Sequence, residues 1–176
     1  MIEKFTFELY APKISGKKII LVKDGVELRE HVVMKLLAYL LYYDPELKLE
    51  GDAGLHYEPD LFIASEHASS PPKVWIDCGK VALRKVESLA AKMRHTRVIF
   101  VKETKRELDV FKKLIDKKVE RAGGAEPLEF LAFEPGFVAS LAKTIEKTNH
   151  FTLYDVMDNV IGVALNDQVF ESTLYR

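Results

Sequence analysis

At 176 residues, with 48% hydrophobic and 30% charged side chains, the chain is long enough for one well-packed domain and too apolar to be disordered. A net charge of -1 argues against a generic nucleic-acid binder, and a single cysteine, Cys78, excludes an internal disulfide framework and a multi-cysteine zinc site. The longest apolar stretch, residues 32–43, is broken by Lys35 and falls short of the ~20 residues of a membrane span. With no signal-peptide pattern, the expectation is a cytoplasmic protein without membrane association.

Phe5, Phe7 and Leu9 alternate with polar residues, which predicts a strand, and residues 18–23 predict its hairpin partner. Asp24-Gly25 turns the chain into a helix over 27–43, apolar nearly all round and so buried on more than one side, with His31 and Lys35 on its polar face. Residues 46–50 are a weak strand candidate; 57–64 and 73–78 are stronger ones. Residues 81–95 predict a helix with Val86, Leu89, Ala90 and Met93 inward, and 98–101 is an apolar run suited to a buried parallel strand. A second basic helix over 106–122 turns Val110, Phe111, Leu114 and Ile115 inward and stops at Gly123-Gly124. A strand at 128–133, a helix over 135–148 and short closing strands with turns at Asp158-Asn159 and Asn166-Asp167 complete the chain. The expected architecture is α/β (α+β): a single domain over 1–176, with a mixed sheet flanked by helices and extra strands at both termini.

Charge is unevenly spread. Residues 1–72 carry a net of -4, residues 73–121 a net of +8 and residues 122–176 a net of -5. Within the basic block, which includes Lys117 and Lys118, Arg84, Lys92 and Arg94 are candidate phosphate contacts; solvated faces of two amphipathic helices are the alternative. Glycine-rich phosphate loops, a nucleophile elbow and histidine metal spacing are all missing.

What remains is acidic. Asp60 lies inside a hydrophobic strand after Pro59, and Asp77 ends the strand Val74-Trp75-Ile76-Asp77. Carboxylates in such places must be paired, hydrogen-bonded or metal-bound. Glu30 shares a helical stripe with Val33, Met34 and Leu37. Glu30, Asp60 and Asp77 therefore form a candidate Mg²⁺ or Mn²⁺ site, with Lys80 orienting water or neutralising developing charge. Also open are three structural roles: Asp60 capping a turn, Asp77 pairing with Lys80 or Arg84, and Glu30 serving the first helical turn.

The succession of an acidic helix start running into Met34-Lys35-Leu36-Leu37-Ala38, then Glu58-Pro59-Asp60-Leu61, then Trp75-Ile76-Asp77-Cys78-Gly79, resembles the YaeQ family. So do Leu83-Arg84-Lys85 and the tail Leu153-Tyr154-Asp155-Val156-Met157-Asp158. That family is similar in fold to the PD-(D/E)xK nuclease-like superfamily, which implies a restriction-endonuclease-like mixed sheet with Glu30, Asp60 and Asp77 at its centre. The superfamily lysine lies two residues beyond the acid, on the same strand face; here that position is Gly79. Lys80, brought round by a bulge at Gly79, or Lys85 from the next helix would have to replace it. Two functions follow: a metal-dependent phosphodiesterase acting on nucleic acid, or a nuclease-fold protein without catalysis that serves as a binding or interaction module. In the second, Arg84 or Lys85 ties up Asp60 or Asp77.

Overall fold

The computed structural model describes residues 2–54, 56–67, 69–119 and 128–176. Backbone contacts divide the chain into two compact units, residues 1–43 with 133–175 and residues 44–132. Each unit has its own mixed five-stranded sheet and its own helices.

In the first unit, β1 (Glu3–Ala11) and β2 (Ile14–Lys23) form the expected hairpin, with Phe5, Phe7 and Leu9 buried. Strict alternation lets one face enter the core while the other stays wet. The C-terminal strands β8 (Thr148–Leu153), β9 (Val160–Leu165) and β10 (Gln168–Thr173) join the same sheet in the order β10-β9-β8-β1-β2. The terminal strands are thus not appendages to a central sheet: β8 lies parallel to β1, and together they build a second sheet. Asp158, Asn159, Asn166 and Asp167 all adopt positive φ, as tight hairpin turns require.

Helices α1 (Arg29–Leu41) and α4 (Phe137–Thr144) pack on each other in this unit. From Val32 to Leu40 every residue of α1 is buried, Lys35 included. Lys35 is therefore not on a polar face; its Nζ donates to the Val22 carbonyl at 3.3 Å and to Glu27 Oε1 at 3.3 Å. Helix α4 is shorter than its periodicity suggests, because Thr148 already begins β8. The buried Asn149 side chain ends it: Nδ2 donates to the Glu146 and Thr6 carbonyls, and Oδ1 accepts from the Glu146 N–H.

In the second unit, β3 (Lys48–Leu49), β4 (Leu61–Ile63), β5 (Val74–Cys78), β6 (Arg97–Thr104) and β7 (Glu129–Phe133) lie in chain order across the sheet. Strand β4 is antiparallel to β5, and β5 is parallel to β6 with Asp77 opposite Phe100. Pro59, which has no N–H to give a ladder, keeps β4 shorter than the expected 57–64. Helices α2 (Leu83–Lys92) and α3 (Lys105–Val119) pack together. One face of the sheet meets them in a cluster of Trp75, Val98 and Phe100 with Val86, Leu89, Met93, Phe111 and Ile115. Val110 and Leu114 are exposed at 54% and 48% rather than inward; Leu108 takes the buried place one turn earlier. The expected stop at Gly123-Gly124 lies outside the described residues, as do the side chains of Lys117 and Lys118.

Candidate functional site

The carboxyl ends of β5 and β6 carry the chemistry of the second unit. Parallel pairing of Trp75 with Val98 and of Asp77 with Phe100 sets these four side chains on one face. Gly79 N–H donates to the Val101 carbonyl at 2.8 Å, which carries the pairing one step past the end of β5. Gly79 itself turns out of the strand at φ 71°, a conformation that glycine adopts without strain.

Asp60 completes the edge of this ladder. Its N–H donates to the Ile76 carbonyl and its own carbonyl accepts from the Glu50 N–H. The carboxylate then turns across β5, where Oδ2 accepts from the Cys78 N–H at 2.7 Å. Asp60 thus caps a main-chain donor at the end of the neighbouring strand rather than a turn of its own.

Asp77 is 2% exposed. Trp75 Nε1 donates to its Oδ2 at 2.9 Å, and Lys85 Nζ donates to its Oδ1 at 2.7 Å. Lys85 reaches in from the first turn of α2, also donates to the Glu58 carbonyl at 2.9 Å, and stands over the Trp75 ring at 5.3 Å. Burial pushes the Asp77 carboxyl above its ordinary range against the pull of Lys85, and the Asp60 charge adds to the rise. Asp60 and Asp77 are therefore electrostatic neighbours.

Sequence reasoning missed Lys102. It sits on β6 two residues beyond Phe100, is 5% exposed, and donates from Nζ to the Gly79 carbonyl. Its ammonium is 3.8 Å from the Phe111 ring centroid. Burial lowers its pKa to about 8, against the pull of Glu107, Cys78 and Asp77. The position two residues after the acid has no side chain of its own, and the neighbouring strand brings a lysine to that level. The signal in the sequence is a lysine on the parity of Val98 and Phe100 that continues an apolar run. It becomes readable only once the β5–β6 register is known.

Of the other candidates, Lys80 is exposed and makes no hydrogen bond or ion pair among the described residues. Arg84, Lys92 and Arg94 are exposed and equally unengaged among the described residues. Glu30 lies half-buried in the first turn of α1, and so in the first unit, whereas Asp60 and Asp77 are in the second. Other members of the basic block are neutralised: Arg97 pairs with Glu129 and Lys105 with Asp109.

Fold and site define an α+β protein of two mixed sheets flanked by helices, with a carboxylate–lysine cluster at the end of a sheet strand. The sequence profile of the YaeQ protein family matches residues 17–174, so the chain belongs to the YaeQ family. Two crystal structures of YaeQ proteins are similar to it throughout. That from Xanthomonas axonopodis pv. citri has a TM-score of 0.76 at 16% identity, with 98% of this chain and 95% of that one covered. That from Pseudomonas syringae has a TM-score of 0.72 at 18% identity, with 99% and 93% covered. No curated protein matches. Among the described residues no helix is long and apolar enough to cross a membrane.

Proposed function

We propose that the second unit carries a nuclease-like site of the PD-(D/E)xK kind, on a restriction-endonuclease-like sheet, that hydrolyses nucleic-acid phosphodiesters with Mg²⁺ or Mn²⁺. The supporting observation is the gathering of Asp60, Asp77 and Lys102 at the ends of adjacent strands, with Lys85 reaching Asp77 from α2 and burial lowering the Lys102 pKa to about 8. Two hard carboxylates suit such an ion, one of them sharing the Lys85 ammonium with the Glu58 carbonyl, and the charge of Asp60, which adds to the rise of the Asp77 carboxyl, is what a cation would offset. Asp60 and Asp77 would hold the metal. When bound, it polarises a phosphoryl oxygen and acidifies water.

Lys102 Nζ, with a pKa of about 8, exchanges a proton with water near physiological pH and serves as the base for in-line attack. Lys85 offsets the charge that develops on the phosphate. Exposed Arg84, Lys92 and Arg94 supply salt-dependent contacts to the nucleic-acid backbone. Cys78, buried and in no disulfide, is in keeping with a proposed cytoplasmic setting.

The test is cleavage of DNA and RNA with Mn²⁺ or Mg²⁺ by wild type, Asp77→Asn and Lys102→Met. Each substitution should lower the rate by at least about 100-fold; undiminished cleavage by Asp77→Asn overturns the proposal.

One observation favours the second reading, a non-catalytic binding module. Both Asp77 oxygens already accept hydrogen bonds, from Lys85 and Trp75. That reading expects no cleavage and no cation held by the acids; tight Mn²⁺ binding abolished by Asp77→Asn would count against it.

A further inference from the structure

We infer that Lys85 is a tethered cation occupying the place a divalent ion would take, so that metal loads only as Lys85 leaves. This rests on the metal-site reading above and adds to it a competition internal to the chain. The ammonium has the surroundings of a bound hard cation: a carboxylate oxygen at 2.7 Å, a peptide carbonyl at 2.9 Å and the face of an indole at 5.3 Å. Carboxylate and carbonyl oxygens are also what Mg²⁺ and Mn²⁺ take, and two cations cannot share one carboxylate oxygen without strong repulsion.

The pair is also built so that the lysine is the partner able to move. The Asp77 side chain is 3% exposed and the Lys85 side chain 16%. Asp77 is fixed within β5 and held by Trp75 Nε1, whereas Lys85 is a flexible stem on the first turn of α2. The Glu58 carbonyl, belonging to the loop before Pro59, is freed by the same motion. The ammonium protects a buried carboxylate when no metal is present and sets a threshold for metal occupancy.

Calorimetry with Mn²⁺ alone compares wild type with Lys85→Gln. Removing the competing charge should tighten binding at least about tenfold, while Lys85→Arg, which keeps the charge, should bind no tighter than wild type. Equal affinity in wild type and Lys85→Gln overturns the competition and leaves the metal site standing. No Mn²⁺ binding by any of the three proteins overturns the metal site itself, and the competition with it. If Lys85→Gln does not fold, amine acylation of wild type read by peptide mass spectrometry decides the matter. Mn²⁺ should raise labelling of Lys85 several-fold and leave Lys92 unchanged; unaltered labelling of Lys85 overturns the inference.

Discussion

Lys35 in the first unit and Lys85 in the second each meet a carboxylate, but burial is distributed in opposite ways. Lys35 is 1% exposed and its partner Glu27 21%; Lys85 is 16% exposed and its partner Asp77 3%. Around Lys35 the partners are locked in place. Glu27 Oε2 accepts from the Asp24 N–H, Oε1 meets both His31 Nδ1 and Lys35 Nζ, and Lys35 donates also to the Val22 carbonyl. That arrangement fixes the entry of α1 against β2 and is structural. In the second unit the buried partner is the acid, the more exposed partner is the lysine, and burial holds the Asp77 carboxyl above its ordinary range. A buried lysine with several fixed acceptors anchors a fold. A buried acid reached by a flexible lysine, beside a second acid and a second buried lysine, is the arrangement a reaction can use.

The largest effect should come from the anchor. Lys35→Ala removes a long buried stem and its hydrogen bond to the Val22 carbonyl, at a cost of about 3 kcal/mol in urea unfolding. Lys35→Met keeps most of the volume and should cost about 1 kcal/mol. A negligible loss in Lys35→Ala would erase the distinction between the two pairs.

Next comes the pH response of Lys102. Its folded pKa of about 8 lies below the ordinary 10.5, so the unfolded chain takes up a proton first as pH falls. Its contribution to stability is fully present above pH 10.5 and is lost as pH falls to about 8, a change on the order of 3 kcal/mol. Unfolding curves across that range should flatten in Lys102→Met relative to wild type.

Lys85→Ala leaves Asp77 buried without its cation and should cost about 2 kcal/mol at neutral pH. The sign with pH is opposite to that of Lys102. A raised carboxyl pKa means that the folded state binds the proton more tightly, so the deficit shrinks as the solution is acidified and Asp77 protonates. A deficit that grows on acidification would show that Asp77 is stabilised as a carboxylate by groups other than Lys85. The smallest effect belongs to Lys80→Ala: an exposed lysine with no partner among the described residues should change stability by less than about 0.5 kcal/mol and leave Mn²⁺ affinity unaltered.

Local signals carried much of this architecture. The alternation in β1, the inward stripe of α2 and the positive-φ turns at Asp158-Asn159 and Asn166-Asp167 are all set by neighbours in sequence. So was the suspicion attached to Asp60 and Asp77, since a carboxylate within an apolar strand needs a partner. What could not be read depends on distant pairing. The joining of β8 to β1 makes one sheet of two chain ends, and Asn149 stops α4 through a bond to Thr6. Lys35 looked solvated because helical periodicity does not reveal that α1 is covered on every side. Lys102 was invisible as a site residue because its position beside Gly79 follows from the β5–β6 register alone.

The most direct test of the site is a calorimetric Mn²⁺ titration of wild type against the double substitution Asp60→Asn/Asp77→Asn, with folding of both verified by circular dichroism. A single binding site in wild type that vanishes in the double variant is the expected result. Undiminished Mn²⁺ binding in the double variant, or no binding by wild type, would contradict the assignment of Asp60 and Asp77 as a metal site.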